Sequence, residues 1–176
     1  MNKLSFLLVV LLAVVSCKKD EVGIRFKMDY ETSFTVPSGN LLNLPFDLFT
    51  PDITTNSEAE FEANDTRKDK IQEIKLESLK LQITSPAGKN FDFLKSVDLY
   101  IEAEAMNELR FAYVENVADG QTTLEVTTTD DNLAEYIKQD KFGMRAKTVQ
   151  DKVLDQDVEI KATMVFAVKA NPDTEI

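Results

Sequence analysis

Thirty-one Asp and Glu, twenty Lys and Arg, a single cysteine and no histidine bound the chemistry open to these 176 residues. Without histidine the chain lacks the commonest general base and the commonest metal ligand. Serine hydrolysis through a histidine base and His-ligated zinc sites are excluded by composition. Five glycines form neither a GxGxxG nor a P-loop pattern. What remains is oxygen chemistry. Paired carboxylates could serve glycoside hydrolysis, yet thirty-one acids make chance pairs inevitable, and no spacing marks two of them. Asp151, Asp155 and Asp157 crowd one loop and Asp130, Asp131 and Asn132 another, but neither has the spacing of a calcium loop or its central glycine. They read as a hairpin turn and a helix cap. No catalytic, cofactor-binding or metal-ligating residue is assigned, and the expectation is a protein that is not an enzyme. Carbohydrate platforms need exposed aromatics; there is no tryptophan, and only Tyr100 and Tyr113 merit notice. Tyr100 lies on the opposite parity from Val97, Leu99 and Ile101, hence outside that strand's core face.

The single cysteine, Cys17, ends an apolar run. Met1-Asn2-Lys3 is a short basic start, and from Leu4 to Val15 only Ser5 is polar. A membrane-crossing helix needs roughly 20 apolar residues, so this run reads as a secretory signal peptide removed from the mature protein. Its end, Val14-Val15-Ser16-Cys17, resembles the lipobox of bacterial lipoproteins. That resemblance implies a diacylglycerol-modified Cys17 thiol, cleavage just before it, and an acylated (palmitate-type) amine. Each buried CH₂ contributes about 0.8 kcal/mol, and one chain alone anchors only marginally, so the several chains on one cysteine would meet the requirement for stable attachment. The following Lys18-Lys19-Asp20-Glu21-Val22 is similar to the surface-export signal of lipoproteins in one branch of Gram-negative bacteria, with Lys19, Asp20 and Glu21 as its core. It implies a lipid anchor in the outer membrane with the chain exposed at the cell surface. A charged tether on a periplasm-facing protein would read the same way.

Behind the tether one domain is expected. A chain of this length buries about 70% of its unfolded surface, and with no second cysteine it must rely on that core in an oxidising compartment. The formal net charge of −11 repels phosphate backbones, which makes nucleic acid a poor candidate partner, and none is expected. Anionic headgroups are disfavoured likewise, which leaves the acyl chains as the membrane attachment.

The elements that must position any site are strands. Ile24, Phe26, Met28, Tyr30, Phe34 and Val36 alternate with Arg25, Lys27, Asp29, Glu31, Ser33 and Thr35. Val158 to Val168 alternates in the same way, and both predict long strands with one buried face. Leu42, Leu44, Phe46 and Leu48 form a third strand that Pro45 assigns to an edge or a bulge. Ala59, Phe61 and Ala63 form a weaker run. Ile74 and Leu76 are out of phase with Leu79, Leu81 and Ile83, which predicts a β-bulge near Glu77-Ser78. Phe91 to Ser96 reads as a single helical turn, followed by strands at 97–103, 109–114, 124–129 and 142–149. One short helix is expected near 131–139, capped by Asp130 or Asp131, with Leu133, Tyr136 and Ile137 on one face.

The expected fold is all-β, a two-layer antiparallel β-sandwich of immunoglobulin-like architecture. Its segments are a signal peptide at 1–16, a lipidated tether at 17–23, the sandwich at 24–170 and a frayed tail at 171–176. Two function classes follow. The first is a non-enzymatic lipoprotein whose sandwich binds a protein partner, as an accessory subunit of an outer-membrane assembly or as a display module. The second is a membrane-tethered module for a glycan, calcium or a lipid-like ligand.

Overall fold

Strict alternation in the first and last strands builds the centre of one sheet. In the computed structural model, which describes residues 23–39 and 42–173, β1 (Ile24–Val36) pairs antiparallel with β10 (Val158–Ala170) over thirteen residues without a register shift. Met28, Tyr30, Phe34 and Val36 are buried, as are Val158, Ile160, Ala162, Met164, Phe166, Val168 and Ala170. On its other side β10 pairs with β4 (Ile71–Ser85). There Val165 opposes Ser78 while Phe166 opposes Leu76, leaving Glu77 as the extra residue. This is the expected bulge. It keeps Ile74, Leu76, Leu79 and Leu81 on the buried face, whereas an unbulged strand would turn half of them to solvent. β7 (Thr123–Glu125) closes this sheet in the order β1-β10-β4-β7.

The second sheet runs β2-β9-β5-β6-β8, formed by β2 (Pro45–Phe49), β9 (Lys141–Gln150), β5 (Leu94–Glu102), β6 (Leu109–Glu115) and β8 (Thr127–Thr128). The short β3 (Ile53–Thr54) adds to the start of β9. Pro45 opens the edge strand β2, where its missing N–H costs no ladder bond on the solvent side.

The antiparallel two-layer sandwich is therefore present. Its connections are nested: β1 pairs with β10, β2 with β9, β4 with β7 and β5 with β6. A long hairpin folded over on itself in this way is a jelly roll. In an immunoglobulin domain the first strands of the chain neighbour each other in one sheet, so the likeness to that fold is one of layered architecture and does not extend to strand order.

Between the sheets Tyr30, Phe142 and Phe166 meet edge to face, with centroids 5.5, 5.7 and 6.1 Å apart. The buried Tyr30 hydroxyl donates to the Thr55 carbonyl at 2.9 Å. Burial, with a smaller contribution from the Glu60 charge, pushes its ionisation far above the ordinary tyrosine range.

Two local expectations change. Ala59, Phe61 and Ala63 lie in a helix, α1 (Ser57–Ala63), and not in an extended run. Ser57 and Phe61, four residues apart, are its buried face, and Phe61 packs edge-on against Phe26 at 6.3 Å. The expected helix near 131–139 is shorter, α2 (Ala134–Ile137), with Leu133, Tyr136 and Ile137 buried as its spacing requires. Neither Asp130 nor Asp131 caps it. Asn132 Oδ1 accepts from the Ala134 N–H at 3.1 Å and from the Ile74 N–H at 3.0 Å, tying the helix start to β4, while Asp130 pairs with Lys75 at 3.3 Å. The helical turn after Asn90 is a 3₁₀ turn, Phe91–Phe93, with β5 starting directly behind it.

Candidate interaction face

The outward positions of the six-stranded sheet bring together residues that lie far apart in the chain. Cross-strand register sets Phe49 beside Arg145, Arg145 beside Tyr100 and Tyr100 beside Arg110, one row across four strands. The neighbouring row reads Asp47, Lys147, Asp98 and Tyr113. Alternation dictates this placement: Phe142, Met144 and Ala146 of β9 face the core, so Arg145 and Lys147 face out.

Arg145 is the centre of the face. Its Nε and Nη2 donate to the two carboxylate oxygens of Glu108 at 2.8 and 2.7 Å, and Nη1 donates to Asp47. The guanidinium lies 4.2 Å from the Tyr100 ring centroid. So held, its side chain is only 13% exposed although it sits on an outer face. The Glu108 hydrogen bond, opposed by burial and reinforced by Asp47, holds its ionisation above the ordinary arginine value, so the charge is permanent. Arg110 repeats the arrangement: it donates to Asp98 Oδ1 at 2.6 Å and lies 4.1 Å from the Tyr113 ring centroid. Phe49 closes the row at the sheet edge, 62% exposed.

This face presents aromatic rings and two pre-oriented guanidiniums, the residue types enriched at protein–protein hot spots. A sugar stacking on Tyr100 or Tyr113 would have to share a ring face with a carboxylate-held guanidinium, which weighs against a glycan platform.

The sequence placed Tyr100 outside the core, and it is there. Phe49 carried a signal too, being out of phase with the inward Phe46 and Leu48. Arg145, Arg110 and Glu108 carried none, because only cross-strand register joins them. The acidic loops do not converge. Asp155 pairs with Lys89 at 2.5 Å, and Asp157 accepts from the Ser38 N–H and hydroxyl, each at 2.8 Å. Among the described residues no group of three or more His, Cys, Asp or Glu is arranged to hold a metal ion. No described helix is long and apolar enough to cross a membrane. Val14, Val15, Ser16, Cys17, Lys19, Asp20 and Glu21 lie outside the described residues.

No protein-family model and no curated protein matches this sequence. Among solved structures, one of Desmodium yellow mottle tymovirus is similar over 86% of this chain and 91% of that one, at 10% identity. Its TM-score of 0.30 is too low to carry any argument about fold or role.

Proposed function

We propose that this chain is a non-enzymatic lipoprotein, anchored in the outer membrane through an acylated Cys17 and exposed at the cell surface, whose sandwich binds a protein partner. It would act as an accessory subunit of an outer-membrane assembly or as a display module. The observation that carries the binding role is the row Phe49, Arg145, Tyr100 and Arg110, an exposed aromatic beside two guanidiniums fixed by carboxylates and stacked on tyrosines. Side chains already held in one rotamer lose little entropy on docking. The anchoring role is supported by Val14-Val15-Ser16-Cys17 and the surface position by Lys19-Asp20-Glu21.

Crosslinking in intact cells followed by gentle detergent extraction tests the binding role. Wild-type chain is expected to retain a partner that Phe49→Asp and Tyr100→Ala release; a partner retained equally by all three would remove this face from the proposal. The anchor is tested by Cys17→Ala, expected to leave the membrane fraction after a high-salt wash.

A further inference from the structure

Among the described residues four strand edges bound the two sheets, and three of them are blunted. β7 has three residues, β8 two, and β2 five beginning with Pro45. The fourth, β1, is thirteen residues long, carries no proline and pairs with β10 without a bulge. Among the described residues no strand pairs with its far side, and no backbone hydrogen bond outside the β1–β10 ladder involves residues 24–36. A long, regular edge of unmet N–H and C=O groups is a template for strand addition.

We propose that the occupant of this edge is a second copy of the chain: two β1 strands pair antiparallel about a two-fold axis through Met28, joining two four-stranded sheets into one. The side-chain pattern selects that register. Pairing must keep like faces together, so the axis passes through a residue and each position meets one of its own parity. Centred on Met28, Arg25 meets Glu31 and Lys27 meets Asp29, each twice by symmetry. On the inward face Phe26 meets Tyr30, and Met28 meets itself. Moving the axis by one residue, to Lys27 or Asp29, sets that charge against its own copy; moving it by two, to Phe26 or Tyr30, sets Arg25 against Lys27 or Asp29 against Glu31. Like charges directly opposite are destabilising, so these four registers are disfavoured, and of the five the Met28 register alone matches every charge.

Within one copy these charges are only half used. Lys27 reaches Glu77 at 2.5 Å and Glu31 reaches Lys161 at 3.1 Å. Arg25 and Asp29 have no ion pair among the described residues. Each intermolecular pair therefore joins one engaged group to one free one. A two-fold contact of this kind is self-complementary and closed, so it ends at a dimer and does not grow into a filament.

The test is the mass of the full-length chain in a non-ionic detergent, measured by analytical ultracentrifugation over a concentration series. A monomer–dimer equilibrium is expected. Arg25→Glu sets like charges against each other twice and is expected to weaken it by roughly tenfold or more, while Arg25→Glu combined with Glu31→Arg restores it. Both positions are exposed, and matching circular dichroism and melting temperatures confirm that the variants fold. A chain that stays monomeric up to about 100 μM overturns the proposal. So does a dimer indifferent to Arg25→Glu, which would point to another face or to association of acyl chains, and so does a double variant that fails to restore it.

Discussion

The outward surface of the six-stranded sheet and the free edge of the four-stranded sheet carry similar residue types to opposite ends. On the first, both arginines are satisfied internally: Arg145 is clamped by Glu108 and Asp47 and stacked on Tyr100, and Arg110 is held by Asp98 over Tyr113. On the second, among the described residues, Arg25 and Asp29 have no ion pair and the backbone is unpaired on one side. A surface that is internally complete presents a fixed shape to a different molecule. A surface complete only in register with its own copy specifies that copy. Charge count would not separate the two; pairing state does.

The comparison depends on a shared interior, and the largest effect lies there. Phe166 is fully buried on β10 and touches both Tyr30 and Phe142. Phe166→Ala is expected to cost about 3–5 kcal/mol in urea unfolding and to degrade both surfaces together. Loss of one surface alone would show that the two sheets are not coupled through this cluster.

Next comes the internally satisfied surface. Arg145→Ala leaves Glu108 and Asp47 facing each other without their cation and uncovers Tyr100, for an expected loss of about 1–2 kcal/mol. Arg25→Ala, by contrast, is expected to change monomer stability by less than about 0.5 kcal/mol. Equal effects at the two positions would erase the distinction between a clamped arginine and a free one.

The smallest effect is one of pH. The Ser38 N–H, then its hydroxyl, hold the Asp157 carboxyl below the ordinary aspartate range, and Lys89 does the same for Asp155. A carboxylate whose ionisation is lowered by folding contributes stability that is present above its unfolded value and lost as pH falls through the folded one. Acid unfolding of Asp157→Asn is therefore expected to show a slightly weaker pH dependence than wild type below the ordinary aspartate range. An unchanged profile would mean that the Ser38 contact does not form in solution.

Much of the fold was legible in the sequence because it is written locally. Alternation marks β1 and β10 to within a residue or two, and the phase break between Leu76 and Leu79 locates the bulge at Glu77. The segment that forms α1 is ambiguous locally, because two alanines and one phenylalanine at alternate positions fit a strand as well as a short helix, and the contact of Phe61 with Phe26 favours the helix. Asn132, not its acidic neighbours, holds the start of α2 because its side chain also has to reach the Ile74 N–H. Strand order lay beyond local reading altogether: nesting β1 with β10 and β2 with β9 depends on contacts between chain ends. The same holds for the candidate face. Tyr100 and Phe49 declare themselves by parity, whereas the clamp on Arg145 joins β9 to Glu108 and Asp47 through register that no single segment contains.

Both surfaces are proposed to work at a membrane, and that rests on Cys17. Intact-mass and peptide mass spectrometry of the chain purified from its own cells is the most direct test. The account predicts an N-terminus at Cys17 bearing diacylglycerol and a further acyl chain. A chain that retains residues 1–16, or begins at Cys17 with an unmodified thiol and amine, would contradict it.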